Sequence, residues 1–280
     1  MIPPIASRFV AGETAAEALD HAREVNRDGV KVILNLLGEH YHEREPADED
    51  AEAYLRLIED IDGSDLEACV SVKPSQIGID VGDDAFEENL GRICATAAER
   101  DQFVWVDIED ATTTDATLDA FERWAREYPG KVGLALQANL KRSHEDIERL
   151  ADVPGKVRLV KGAYDEDPEI SWKQKEAVDR SYRELLSYMF EHFDDGEIAV
   201  GSHDPKVLDH AKELHAEYGT DFEIQMLMGV RDDTQRELAA QGYEVWQYAP
   251  YGDKWFSYFY RRVRERKENL TFALRAVVGR

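Results

Sequence analysis

Cysteine is scarce in this sequence: its 280 residues hold two, Cys69 and Cys94. Two cysteines make no disulfide framework, and both read as buried thiols in a reducing cytoplasm. Long apolar runs are missing as well. None approaches the roughly 18 residues that cross a bilayer, so no segment reads as membrane-spanning. The opening residues, MIPPIASRFVAGE, show neither the basic nor the apolar region of a signal peptide. A cytoplasmic protein is therefore expected. Lysine is sparse, at 12 of the 34 basic residues, against 59 acidic ones and a net charge of −25. Phosphate backbones need a basic face, so a nucleic-acid partner is excluded. Acid excess with little lysine matches adaptation to high salt, where screening removes self-repulsion. An ordinary acidic cytosolic protein is the other reading.

What is present is alternation. A helix over 14–28 opens at Thr14 and closes at Asp28-Gly29, and VKVILNLLGE (30–39) follows as a strand. Its near-continuous apolar run suits a strand covered on both faces. An acidic loop then leads to a helix ending near Ile61. Further strands are expected at 68–78, 102–110, 131–139, 156–164, 197–204, 221–229 and 243–249. Helices at 83–99, 115–127, 143–150, 171–193, 205–217 and 232–241 separate them. Eight strands, each followed by a helix, predict a parallel sheet closed as a (β/α)8 barrel, one domain over 1–280. An open doubly wound sheet is the alternative, but no Gly-rich dinucleotide fingerprint follows the first strand.

Active sites of such barrels lie at the C-terminal ends of the strands. Those ends read Lys73, Asp107, Gln137, Arg158, Lys161, His203, Leu227 and Tyr248. Each alone has a structural explanation; their recurrence at one predicted face makes the group functional. Arg158 is the most informative. It lies inside a strand, where a lone guanidinium is costly to bury, so it needs an acceptor, and a flavin ring nitrogen is one candidate. Lys161-Gly162-Ala163 leaves the backbone open to a flat or phosphorylated ligand. Lys73 or Lys161 is also a candidate for a Schiff base, if desolvation lowers its pKa. His40-Tyr41-His42 is similar to the His-x-His of metal-dependent barrel hydrolases, but strand four ends in Gln137 and strand five in Lys161-Gly162-Ala163, so the ligand set is incomplete and no metal is expected.

The last strand leads into Pro250 and Gly252, read as a turn, and Asp253 can cap a new helix. Trp255, Tyr258, Phe259 and Arg262 share one face of it. Arg261 and Arg262 suit a small carboxylate, since each guanidinium donates two parallel hydrogen bonds. A solvated arginine pair is the other reading.

Five stretches resemble motifs of the proline dehydrogenase family: VRLVKGAY (157–164), GSHD (201–204), QMLMG (225–229), YAPYG (248–252) and YFYRRVRE (258–265). The resemblance implies a barrel whose last helix lies over its C-terminal mouth. It implies FAD-dependent oxidation of L-proline to 1-pyrroline-5-carboxylate, with electrons passed to a quinone at the membrane surface. Coupling to pyrroline-5-carboxylate dehydrogenase is implied too. Carried over, it puts Asp107 and Arg158 in the catalytic set, with Arg158 near the reactive flavin nitrogen. It puts Lys73, Leu227, Tyr248, Arg261 and Arg262 on the substrate. It puts Ile108, Gln137, Lys161, Gly162, Ala163, Ser202 and His203 on FAD. Ser202 stands where the family usually has Thr, and Pro74 follows Lys73 where it has an aliphatic residue. Hydroxyproline is the rival substrate, and Tyr248 fills the space its hydroxyl needs. From another class, a non-catalytic acidic interaction barrel is the alternative.

Overall fold

The structure is a computed structural model that describes residues 2, 6–38, 40–256 and 258–260. A capping box starts helix α1 (Ala15–Asn26): the Thr14 hydroxyl accepts from the Glu17 amide, and the Glu17 carboxylate accepts from the Thr14 amide. That satisfies two amides with no partner inside the helix. Eight strands follow: β1 (Lys31–Leu36), β2 (Ala68–Val72), β3 (Val104–Val106), β4 (Val132–Gln137), β5 (Lys156–Val160), β6 (Ile198–Gly201), β7 (Phe222–Leu227) and β8 (Glu244–Tyr251). All pair in parallel, and β8 returns to β1, closing the barrel. Helices α2 (Arg44–Asp62), α3 (Asp83–Glu99), α4 (Thr114–Glu127), α5 (Ser143–Leu150), α6 (Lys175–His192), α7 (Pro205–Tyr218) and α8 (Asp232–Ala240) connect the strands. Residues 255, 256 and 258–260 are helical beyond β8.

The expected (β/α)8 barrel is therefore present. Alternation along the strands sorts the core into two. Val32, Leu34, Val70, Val72, Val104 and Val106 point outward into the main core beneath the helices. Ile33, Cys69, Trp105 and Ala199 point inward, with Phe103, Trp246 and Tyr248 packed on them. A third cluster joins the two ends of the described chain: Phe9 and Val10 pack with Leu37, Trp255, Tyr258 and Phe259.

Most strands are shorter than the apolar runs suggest. The strand expected over 102–110 spans only Val104–Val106. Asp107 and Ile108 leave the strand and line the mouth. The expected turn at Pro250 is instead strand, with Pro250 opposite Asn35. Beyond Tyr248 the β8 strand pairs with β1 alone, where the missing proline N–H is tolerated.

Candidate active site

The C-terminal ends of the strands open onto a cavity of about 740 Å3. Asp107 stands at its centre of charge. One carboxylate oxygen accepts from Ser71 Oγ at 3.1 Å and from Arg158. The other accepts from Tyr248 OH at 2.8 Å and lies 3.5 Å from Lys73 Nζ. Burial alone pushes this carboxyl up. Arg158 and Lys73, with the hydrogen bonds from Tyr248 and Ser71, outweigh it and hold Asp107 below the usual carboxylate range. It is an anion at neutral pH. Tyr248 moves the opposite way, well above the usual phenol range, because it is buried and faces that anion. Its hydroxyl therefore donates.

Arg158 is 4% exposed and points into the barrel, as its place in the strand predicts. The protein supplies acceptors of its own: Gln225 Oε1 at 2.9 Å, Asp107, and Ser71 Oγ at 3.5 Å. The guanidinium carbon lies 4.8 Å from the Trp105 ring centroid and 5.4 Å from that of Tyr248. Three of five N–H groups are thereby used, so two remain for a ligand in the cavity that Arg158 lines.

Lys161 corrects one expectation. Burial pulls its pKa down, but Asp179 at 2.5 Å and Asp204 at 2.9 Å more than compensate and raise it. It is a charged ammonium, not the neutral amine a Schiff base needs. Next to it Gly162 adopts φ +100°, and a Cβ there would stand 1.9 Å from Asn139 Oδ1. Gln137 donates its amide to the carbonyls of Ile108 and Glu109. That fixes its orientation and leaves Oε1 buried with no hydrogen-bond partner among the described residues. The Leu227 amide donates to His203 Nε2 at 3.2 Å, so that ring nitrogen carries no proton. Ile108, Ala163 and Ser202 also line the cavity. His40 pairs with Asp80 at 2.8 Å, and among the described residues no cluster could hold a metal ion.

Thus all the expected site residues but two meet on one cavity. Arg261 and Arg262 lie outside the described residues. The described helical residues beyond β8 do reach the mouth, since Tyr258 is part of the lining. Asn35, Tyr164 and Gln225 are lining residues that strand-end reading passed over. Asn35 and Gln225 carried a legible signal, each being an amide among the apolar residues of its strand.

A sequence model of the family described as proline dehydrogenase matches residues 18–275. The chain belongs to the proline dehydrogenase family. It is 37% identical to the proline dehydrogenase of Deinococcus radiodurans, over 98% of this chain and 90% of that one. It is 34% identical to proline dehydrogenase 1 of Bacillus subtilis subsp. natto, with the same coverage. Among solved structures it is similar to proline utilization A from Bdellovibrio bacteriovorus inactivated by N-propargylglycine, with a TM-score of 0.85 at 23% identity. That match covers 92% of this chain and 32% of the other, so the chain spans about a third of that protein. The likeness is one of fold. Members of the proline dehydrogenase family are oxidoreductases that work with a flavin, and the residues present fit one. Gln137 Oε1 is a buried acceptor without a partner, suited to the imide N–H of a flavin ring. Arg158 has two N–H groups for its ring nitrogens and carbonyls. Gly162 lines the same cavity, with Asn139 Oδ1 packed where a side chain would stand.

Proposed function

We propose that the protein oxidises L-proline to 1-pyrroline-5-carboxylate, with non-covalent FAD as its cofactor. The observation that carries this reading is the convergence of Asp107, Arg158, Lys73 and Tyr248 on one cavity that Gln137, Lys161, Gly162 and His203 also line. When bound, the flavin accepts the hydride that leaves the proline ring carbon beside nitrogen. Gln137, Lys161, Gly162, Ala163, Ile108, Ser202 and His203 would hold it.

The chain's own residues do the rest. Arg261 and Arg262 hold the substrate carboxylate. Tyr248 and Leu227 wall the pyrrolidine ring, which fixes the reacting carbon in place. Tyr248 is tied to Asp107, so its ring keeps the position that a hydroxyproline hydroxyl would need; proline is the better fit. Asp107 is too acidic for an efficient base at neutral pH, since a general base works best with a pKa near the operating pH. Its role is electrostatic: it keeps Arg158, Lys73 and Tyr248 turned into the site. Electrons leave to a quinone, and the product suits a pyrroline-5-carboxylate dehydrogenase. No helix among the described residues is long and apolar enough to cross a membrane, so a cytoplasmic protein that meets its quinone at the membrane surface is consistent.

The test is the purified protein itself. A flavin spectrum, with FAD released into the supernatant on acid precipitation, supports the reading. Protein reconstituted with FAD in high salt that stays colourless, or that retains a metal instead, contradicts it.

A further inference from the structure

Beneath the mouth, a chain of polar side chains runs down the barrel interior and ends at its floor. Glu223 and Gln225 are two residues apart on β7, so both point inward. Glu223 is 3% exposed, and Gln225 is 4% exposed. Lys156, on β5, donates to Glu223 Oε2 at 2.6 Å. Gln225 Nε2 donates to Glu223 Oε1 at 2.5 Å, and Arg158 donates to Gln225 Oε1 at 2.9 Å. β6 stands between β5 and β7, and its inward residues are small. Ala199 lies opposite Arg158 and Glu223, and Gly201 lies opposite Gln225. A Cβ on Gly201 would come within 3.3 Å of Arg158 Cγ and 2.7 Å of Val160 Cγ1. The small residues leave the space across which the long side chains of β5 and β7 meet.

The chemistry of each link fixes the next. A guanidinium only donates, so Gln225 must turn its oxygen to Arg158. Its NH2 then needs an acceptor, and the Glu223 carboxylate only accepts. We propose that Glu223 is a positioning residue for the oxidation reaction. Through Gln225 it sets where the Arg158 guanidinium sits against the flavin, and Lys156 balances its charge at the floor. This rests on the flavin reading given above. Asp107 approaches Arg158 from the mouth and Gln225 from below, so the guanidinium is held from both sides.

The conservative variant Glu223→Gln is discriminating because it cannot satisfy both neighbours. If its oxygen faces Gln225, its NH2 meets the Lys156 ammonium. If its NH2 faces Gln225, that side chain flips and meets Arg158 donor to donor. Removing the ammonium as well, in Lys156→Met/Glu223→Gln, relieves the conflict and lets Gln225 keep its orientation.

The readouts are the rate of flavin reduction by L-proline in single turnover under anaerobic conditions, the midpoint potential of the bound flavin, and proline affinity. Glu223→Gln is expected to slow reduction about tenfold, the cost of one misplaced charged hydrogen bond. It should lower the potential, because positive charge moves away from the ring, and leave proline affinity within about twofold. The double variant is expected to recover both rate and potential. If Glu223→Gln does not fold, a double variant that folds with a wild-type rate and potential carries the same conclusion. Three results would overturn the proposal: both variants at wild-type rate and potential; a double variant no better than the single; or flavin-bound protein lost in both. Arg158→Lys separates this idea from its foundation. A slowed Arg158→Lys beside an unaffected Glu223→Gln sinks only the positioning role. An unaffected Arg158→Lys sinks the flavin reading along with it.

Discussion

Asp107 and Tyr248 stand 141 positions apart in the chain and meet at 2.8 Å across the mouth of the barrel, hydroxyl to carboxylate. One side chain is held as an anion and the other as a neutral donor. The contact joins the charged wall of the cavity to the ring that shapes its substrate end.

Replacing Asp107 by Asn keeps the shape and removes the charge. Arg158 is then buried with no carboxylate in reach among the described residues. Breaking a buried pair from one side costs about 3–5 kcal/mol. Proline oxidation is expected to be lost, together with several degrees of melting temperature. The sign with pH follows from the lowered pKa. The stability Asp107 contributes is present above the unfolded carboxylate value, near pH 4, and is lost as pH falls through its lower folded value. The gap in melting temperature between wild type and Asp107→Asn should therefore be full at neutral pH and close in acid. A gap unchanged at pH 2–3 would contradict the assigned ionisation.

Gly162→Ala tests the bare backbone beside the cavity. Its φ of +100° is strained for alanine, and the new Cβ would collide with Asn139 Oδ1. A backbone cost of about 1–3 kcal/mol is expected. Flavin affinity should fall with it, because Asn139 must shift against the wall. Calorimetry and flavin-to-protein ratio measure the two effects. An alanine variant equal to wild type in both would show that the site tolerates a side chain there.

The substrate clamp rests on sequence. Methionine at Arg261 or Arg262 keeps most of the apolar stem and removes the charged fork. A charge-assisted contact contributes about 1.5–3 kcal/mol, so kcat/KM for proline should fall about ten- to a hundredfold with flavin content unchanged. Pyrrolidine, which lacks the carboxylate, should be nearly insensitive. If each change leaves kcat/KM for proline within about twofold, the pair is merely solvated.

The barrel was legible because eight apolar runs alternate with helical periods. The mouth was legible because charged and amide side chains stand at the ends of strands that otherwise read Val, Ile and Leu. What sequence could not show was partnership. Alternation puts Arg158 inside the barrel, yet its acceptors Asp107 and Gln225 lie 51 and 67 positions away in the chain. Only closure of the sheet, and the small residues of β6 between, bring them together. For Lys161 a Schiff base stood as an alternative to a charged role, because its pKa depends on Asp179 and Asp204 in the next two helical connections. Strand ends were overextended for a related reason. The chain stays extended past the last ladder pair, as at Asp107-Ile108, where it leaves the sheet and lines the cavity.

The net charge of −25 motivates a prediction about salt. If the acid excess is an adaptation to salt, screening should remove self-repulsion as potassium chloride rises to molar levels. Melting temperature and activity should increase over that range. A steady fall in melting temperature would mark the charge as unrelated to salt.

The most direct measurement is anaerobic titration of the purified, flavin-loaded protein with L-proline, followed by absorbance. Flavin chemistry at this cavity predicts bleaching of the visible flavin band by proline, and its return when a quinone analogue is added. A flavin band that stays oxidised under excess proline would contradict the assignment.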